Sequence, residues 1–100
     1  MREIVYLQIN GKTPYRLWFK KLDAVTQDRI RRGITRLTEG RFGDIENVGD
    51  NIFEMRFFFG KGYRVYFTEK DNKIIIIICG GDKKTQNKDI AKAKEYIKLI

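Results

Sequence analysis

IFEMRFFFGKGYRVYF, residues 52–67, alternates on both sides of a lysine bracketed by glycines, Gly60-Lys61-Gly62. Alternation with period two marks a strand with one buried face, so the stretch reads as a hairpin with arms at 52–59 and 62–68. On the first arm Phe53, Met55, Phe57 and Phe59 share a face, leaving Glu54, Arg56 and Phe58 on the other. On the second, Tyr63, Val65 and Phe67 alternate with Arg64, Tyr66 and Thr68. A three-residue turn sets Phe59 opposite Tyr63, Phe58 opposite Arg64 and Arg56 opposite Tyr66. A two-residue turn would mix Arg64 into the aromatic face, and a slip by one would bury the charges, so the first register is preferred. Opposed residues share a face, which gathers Glu54, Arg56, Arg64 and Tyr66 on the side of the sheet away from the helices.

Outward from the hairpin, short strands are expected near 44–48 and over the isoleucine run that starts at Ile74 and ends at Cys79. That run passes directly into Gly80, Gly81, Asp82, Lys83 and Lys84, and reads as a buried strand anchoring a mobile cationic corner at the rim of the charged face. Upstream, EIVYLQI (3–9) is a first strand, closed by Asn10-Gly11. A helix follows, with Thr13 as N-cap, Pro14 at its first position and Trp18, Leu22 and Val25 along one buried face. A second helix starts near Asp23 and stops at Gly40, with Ile30, Ile34 and Leu37 as its core stripe. Arg29, Arg32 and Arg36 fall together on its outer side, either as a solvated face or as a nucleic-acid contact. Residues 87–100 form a last helix, with Ile90, Ala93, Ile97 and Ile100 on one side. The expectation is an α+β fold in βαα-ββββ-α order: a mostly antiparallel twisted sheet with the two N-terminal helices on one face.

One hundred residues suffice for one core and a single domain, 1–100. The net charge is +8, with 21 basic against 13 acidic residues. The basic excess sits at the two ends of the chain, a distribution that draws in polyanions. Histidine is absent and Cys79 is the one cysteine, which argues against zinc and against a disulfide within the chain. The sequence starts with no signal-peptide pattern and carries no apolar run of membrane-spanning length, so a cytoplasmic protein is expected.

Arginines, a tyrosine and a carboxylate on one open sheet face suit a phosphodiester. Guanidinium groups hold phosphate oxygens and stabilise charge built up in transfer, while a tyrosine ring can stack on a base. Arg56, Arg64 and Lys83 are the candidate cations of that site, with Lys61 and Lys84 beside them for RNA or ribosome contact and Arg29, Arg32 and Arg36 as a second basic surface. Metal-independent RNA cleavage also needs a base and an acid. Glu54 is the first choice for base and Asp82 the second, the alternative being that Glu54 pairs with a neighbouring arginine.

The element order, with Glu54-Met55-Arg56, GYRVYF (62–67) and CGGDKKTQNKDI (79–90), resembles the RelE/ParE toxin superfamily and, within it, the HigB-like group of addiction module killer proteins. The resemblance implies the toxin of a type II toxin–antitoxin pair, neutralised by a small antitoxin that is often a helix-turn-helix protein. RelE-like members are ribosome-dependent endoribonucleases acting on mRNA without cofactor, and their basic positions match Arg56, Arg64 and, loosely, Lys83 or Lys84. Where RelE has a catalytic tyrosine, this chain reads Gln86, Asn87, Lys88, Asp89, Ile90, and the histidines of HigB and YoeB are missing. Tyr66 is the geometric substitute. The same superfamily implies two other readings, a ParE-like inhibitor of DNA gyrase without enzymatic activity, or an RNA-binding module that does not cleave.

Overall fold

The computed structural model describes residues 2–100. In chain order these form β1 (Glu3–Tyr6), α1 (Pro14–Phe19), α2 (Ala24–Thr38), β2 (Ile45–Asn47), β3 (Ile52–Arg56), β4 (Arg64–Lys70), β5 (Ile74–Gly81) and α3 (Gln86–Ile97), with one 3-10 turn at Lys83–Thr85. The α+β class and the βαα-ββββ-α order are those expected. One sheet contains all five strands in the order β1-β5-β4-β3-β2. Neighbours from β2 to β5 run antiparallel, and β1 joins β5 in parallel, with Glu3 opposite Ile74.

β5 lies between two strands and under helices on both faces, which is why it is isoleucine almost throughout. Ile75 and Ile77 enter the core beneath α1 and α2, beside Ile30, Ile34, Leu37, Met55, Phe57, Val65 and Phe67. Across the sheet, Leu7, Ile52, Tyr66, Ile78 and Cys79 pack with Ala93 of α3 in a second core, flanked by Ile90 and Ile97. A bulge lets both Ile78 and Cys79 join this second core, because Tyr66 pairs with Cys79 and Phe67 with Ile77, leaving Ile78 over. It also resets the alternation for the glycines that follow.

Several local expectations need correction. The face opposite α1 and α2 is covered by α3 rather than open. In the hairpin Arg56 lies opposite Arg64 and Glu54 opposite Tyr66, two positions from the expected register. A shift of two preserves every side chain's face, so the partition of charged from apolar residues stands. The physical reason is a longer loop, in which the ring of Phe59 packs on Tyr63 (5.4 Å between centroids) and under the Arg29 guanidinium (4.6 Å) instead of extending the ladder. Gly60 (φ +53°) and Gly62 (φ +71°) supply the left-handed backbone for it. Val25 is exposed, because α1 ends before Asp23 and α2 starts a new face. Asp23 caps α2 by accepting from the Thr26 N–H (2.8 Å), whereas Thr13 makes no side-chain cap bond to α1. Ile100 is exposed and outside the second core. No helix among the described residues is long and apolar enough to cross a membrane.

Candidate functional site

Strand pairing alone would put like charges face to face, since Glu46 lies opposite Glu54 and Arg56 opposite Arg64. The side chains escape repulsion by reaching diagonally. Arg56 pairs with Glu46 (2.7 Å), with Asp44 and Glu54 each 3.7 Å from its Nε. Glu54 then meets Arg64 Nη1 at 3.4 Å. The result is an alternating row across three strands, Glu46, Arg56, Glu54, Arg64, with Arg64 as its cationic end.

Glu54 is fully buried and needs compensation for its lost hydration. Its Oε2 accepts from the Tyr66 hydroxyl (3.0 Å) and from Gln86 Nε2 (2.9 Å), while Oε1 faces the two arginines. Burial, then the neighbouring Glu54 charge, pushes the Tyr66 hydroxyl well above the ordinary phenol range, so it stays protonated and donates. Tyr66 is itself fully buried, so the expected stacking of a base on its ring is not available in this conformation. Glu54 has both oxygens engaged beneath Gln86 and reaches no solvent.

Arg64 is different. Its side chain is 10% exposed, and its buried Nε has no hydrogen-bond partner. Beyond it the strand ends at Gly81, directly opposite Arg64, and the expected mobile corner is instead a capped turn. Asp82, the second candidate base, caps the turn with its Oδ1, which accepts from the N–H groups of Lys84 (2.9 Å) and Thr85 (3.2 Å). The Lys83 N–H donates to the Lys61 carbonyl (3.3 Å), tying the turn to the hairpin loop. Lys61, Lys83 and Lys84 are exposed along this rim.

The two glycines make the junction possible. A β-carbon on Gly80 would run into the Trp18 ring, and one on Gly81 into the Asp89 carboxylate, so each sheet face takes one close approach. Asp89, against Gly81, has its carboxyl raised by burial and then lowered in part by the Thr85 hydroxyl bond. Cys79 is buried below, its thiol pushed up to about 12 by desolvation and the Asp89 charge. Among the described residues no three His, Cys, Asp or Glu side chains are grouped to hold a metal ion.

The structure therefore divides the residues singled out from sequence. Glu54, Arg56, Arg64 and Tyr66 form one cluster, with Lys61 and Lys83 on its rim and Lys84 one residue on. Arg29, Arg32 and Arg36 ride on α2, which packs against the opposite sheet face; Arg32 pairs with Asp28 (3.0 Å) and Arg29 covers Phe59. Sequence reading missed Gln86, Asp44 and Glu46. An amide gives no charge signal, but Glu46 lies on the adjacent short strand and Asp44 immediately before it, and their contact with Arg56 was accessible by pairing that strand with the hairpin.

Residues 17–98 match the family model described as "Phage derived protein Gp49-like (DUF891)". A protein of Haemophilus influenzae described as uncharacterized is 44% identical over 89 residues, covering 88% of this chain and 90% of that protein. No solved structure matches. The match over most of the chain places this protein in the Gp49-like family of phage-derived proteins.

Proposed function

We propose that this chain is the toxin of a toxin–antitoxin pair and acts as an endoribonuclease on mRNA at the ribosome, held in check by a small antitoxin protein. Membership of the Gp49-like family, toxin-like and related to addiction modules, supports the first half. The observation that carries the second is Arg64: a guanidinium oriented by the buried Glu54 carboxylate, 3.4 Å from its Nη1, at the cationic end of the charge row beside a rim of exposed lysines. A preorganised cation of this kind stabilises charge that develops on a phosphorane without reorganising at the moment of reaction.

In this reading the 2′-oxygen attacks the adjacent phosphorus and the P–O5′ bond breaks, leaving a 2′,3′-cyclic phosphate and a 5′-hydroxyl. The proton lost by the 2′-hydroxyl and the one gained by the leaving oxygen exchange with water at the rim. Arg64, Lys83 and Lys61 hold the phosphate. Glu54, Tyr66 and Gln86 position Arg64 from below, and Arg56 closes the row against Glu46 and Asp44. A gyrase inhibitor without enzymatic activity is the second reading, favoured by one observation: the carboxylate and phenol nearest Arg64 are both enclosed.

The test is cleavage of a reporter mRNA in a reconstituted bacterial translation system. Wild-type protein is expected to cut only while translation runs, and Arg64→Ala, checked for an unchanged fold by circular dichroism, to cut about 100-fold more slowly or worse. Intact message alongside continued growth inhibition in cells would move the target to gyrase.

A further inference from the structure

The loop between β3 and β4 presents one aromatic side chain to solvent that neither core uses. Phe58 is 78% exposed, and among the exposed large apolar side chains of the described residues it is the aromatic one. Its setting is not loose. Phe57 before it is buried and meets Phe59 edge-on at 6.2 Å; Phe59 after it is held between Tyr63 and Arg29. The Phe57 N–H donates to the Tyr63 carbonyl (2.9 Å), and the Lys83 N–H ties Lys61 at the far side of the loop. A phenyl ring is thus displayed on a pinned loop whose exposed charged member is Lys61, with Arg64 and Lys83 at its base.

We propose that Phe58 is a stacking platform for one base of single-stranded RNA, next to the phosphate held by Arg64, Lys61 and Lys83. The proposal rests on the RNA reading above and adds a base contact to it. Every base has a π-face, so an aromatic platform flanked by cations takes single strands with little sequence demand, the phosphate pairing with the cations while the base covers the ring. The surrounding charge is what selects nucleic acid over a protein partner for this ring. Being outside both cores, Phe58 can be changed without removing any buried contact.

The experiment measures binding of a fluorescein-labelled single-stranded ribo-oligonucleotide of mixed sequence by fluorescence anisotropy, across a salt series, with programmed ribosomes as a parallel arm. Phe58→Ala is expected to weaken binding about tenfold with the salt slope unchanged, and Phe58→Trp to retain it. Lys61→Ala is expected to lower the slope by about 0.7, the signature of one lost phosphate contact. Equal affinities for wild type and Phe58→Ala, with Lys61→Ala weakened, would overturn the stacking site while leaving RNA binding in place. Growth inhibition lost in Phe58→Ala with RNA affinity intact would also overturn it, and would put a protein against the loop. Failure of the wild type to bind either the oligonucleotide or the ribosome would remove the RNA reading together with this one. All variants are expected to melt at the wild-type temperature.

Discussion

Replacing Glu54 with alanine leaves Arg64 beside a void, with a buried guanidinium and no counter-charge. Breaking a buried ion pair by removing one partner costs about 3–5 kcal/mol. In a domain of this size each kcal/mol moves the melting temperature by about 4–8 °C, so Glu54→Ala should lower it by more than about 12 °C. The double variant Glu54→Ala/Arg64→Ala should recover part of that loss, since the orphaned charge goes too. A melting temperature unchanged in Glu54→Ala would show that water already solvates the row. At Asp89, burial raises the carboxyl pKa in the folded chain. For an acid raised on folding, the protonated form is the one the fold prefers. Below the unfolded aspartate range, about 4, both states are protonated and there is no penalty. As pH rises from the unfolded range to the raised folded value, the unfolded chain gives up the proton first, so stability falls across that window and levels off above it. Asp89→Asn should therefore gain stability relative to wild type as pH rises from acid to neutral, measured by urea unfolding at a series of pH values; a difference independent of pH would show that the group is not desolvated.

At the scale of elements, Gly33 sets α2 against the sheet. In an exposed helix alanine is better than glycine by about 1 kcal/mol. Here a β-carbon would come within 2.7 Å of the Phe57 ring, which is buried and has nowhere to go. Overpacking of this kind costs about 1–3 kcal/mol, so Gly33→Ala should destabilise despite its propensity gain, read as a lower urea midpoint at constant m-value. Neither this contact nor that of Gly80 with Trp18 is legible in a linear sequence, because both depend on which helix crosses which strand. What is legible is parity. The alternation of Phe53, Met55 and Phe57 with Glu54 and Arg56 assigned the charged cluster to one face, and it held although the register moved by two. The register itself depends on how Phe59 seats against Arg29, a contact between distant segments. The stripe Ile90, Ala93, Ile97 showed that the last helix buries a face without showing which one. Its landing on the Glu54 side turned an open site into an enclosed one, and brought in Gln86 as an unforeseen ligand for the carboxylate.

For the whole molecule, with its net charge of +8, two of the basic surfaces singled out from sequence lie on different elements, the α2 rib with Arg32 and Arg36 and the rim beside Arg64. Salt dependence distinguishes them. If RNA follows the rim, Lys83→Ala should reduce the slope of log affinity against log salt by about 0.7, whereas Arg36→Ala should leave it as it is. Equal losses from both would mean that the strand wraps the molecule. The parallel contact between β1 and β5 has a consequence in time as well as in space. β1 is made first and waits, unpaired, for a partner beginning at Ile74; the turn at Lys83 and the amide of Gln86 come later still. A nascent chain that has emerged only through β4 possesses Glu54, Arg56 and Arg64 but neither the neighbour that completes the sheet nor the cover over the carboxylate. If the finished rim attacks messages under translation, the half-made protein is harmless to the very ribosome producing it, and harm begins only once synthesis has passed the hairpin.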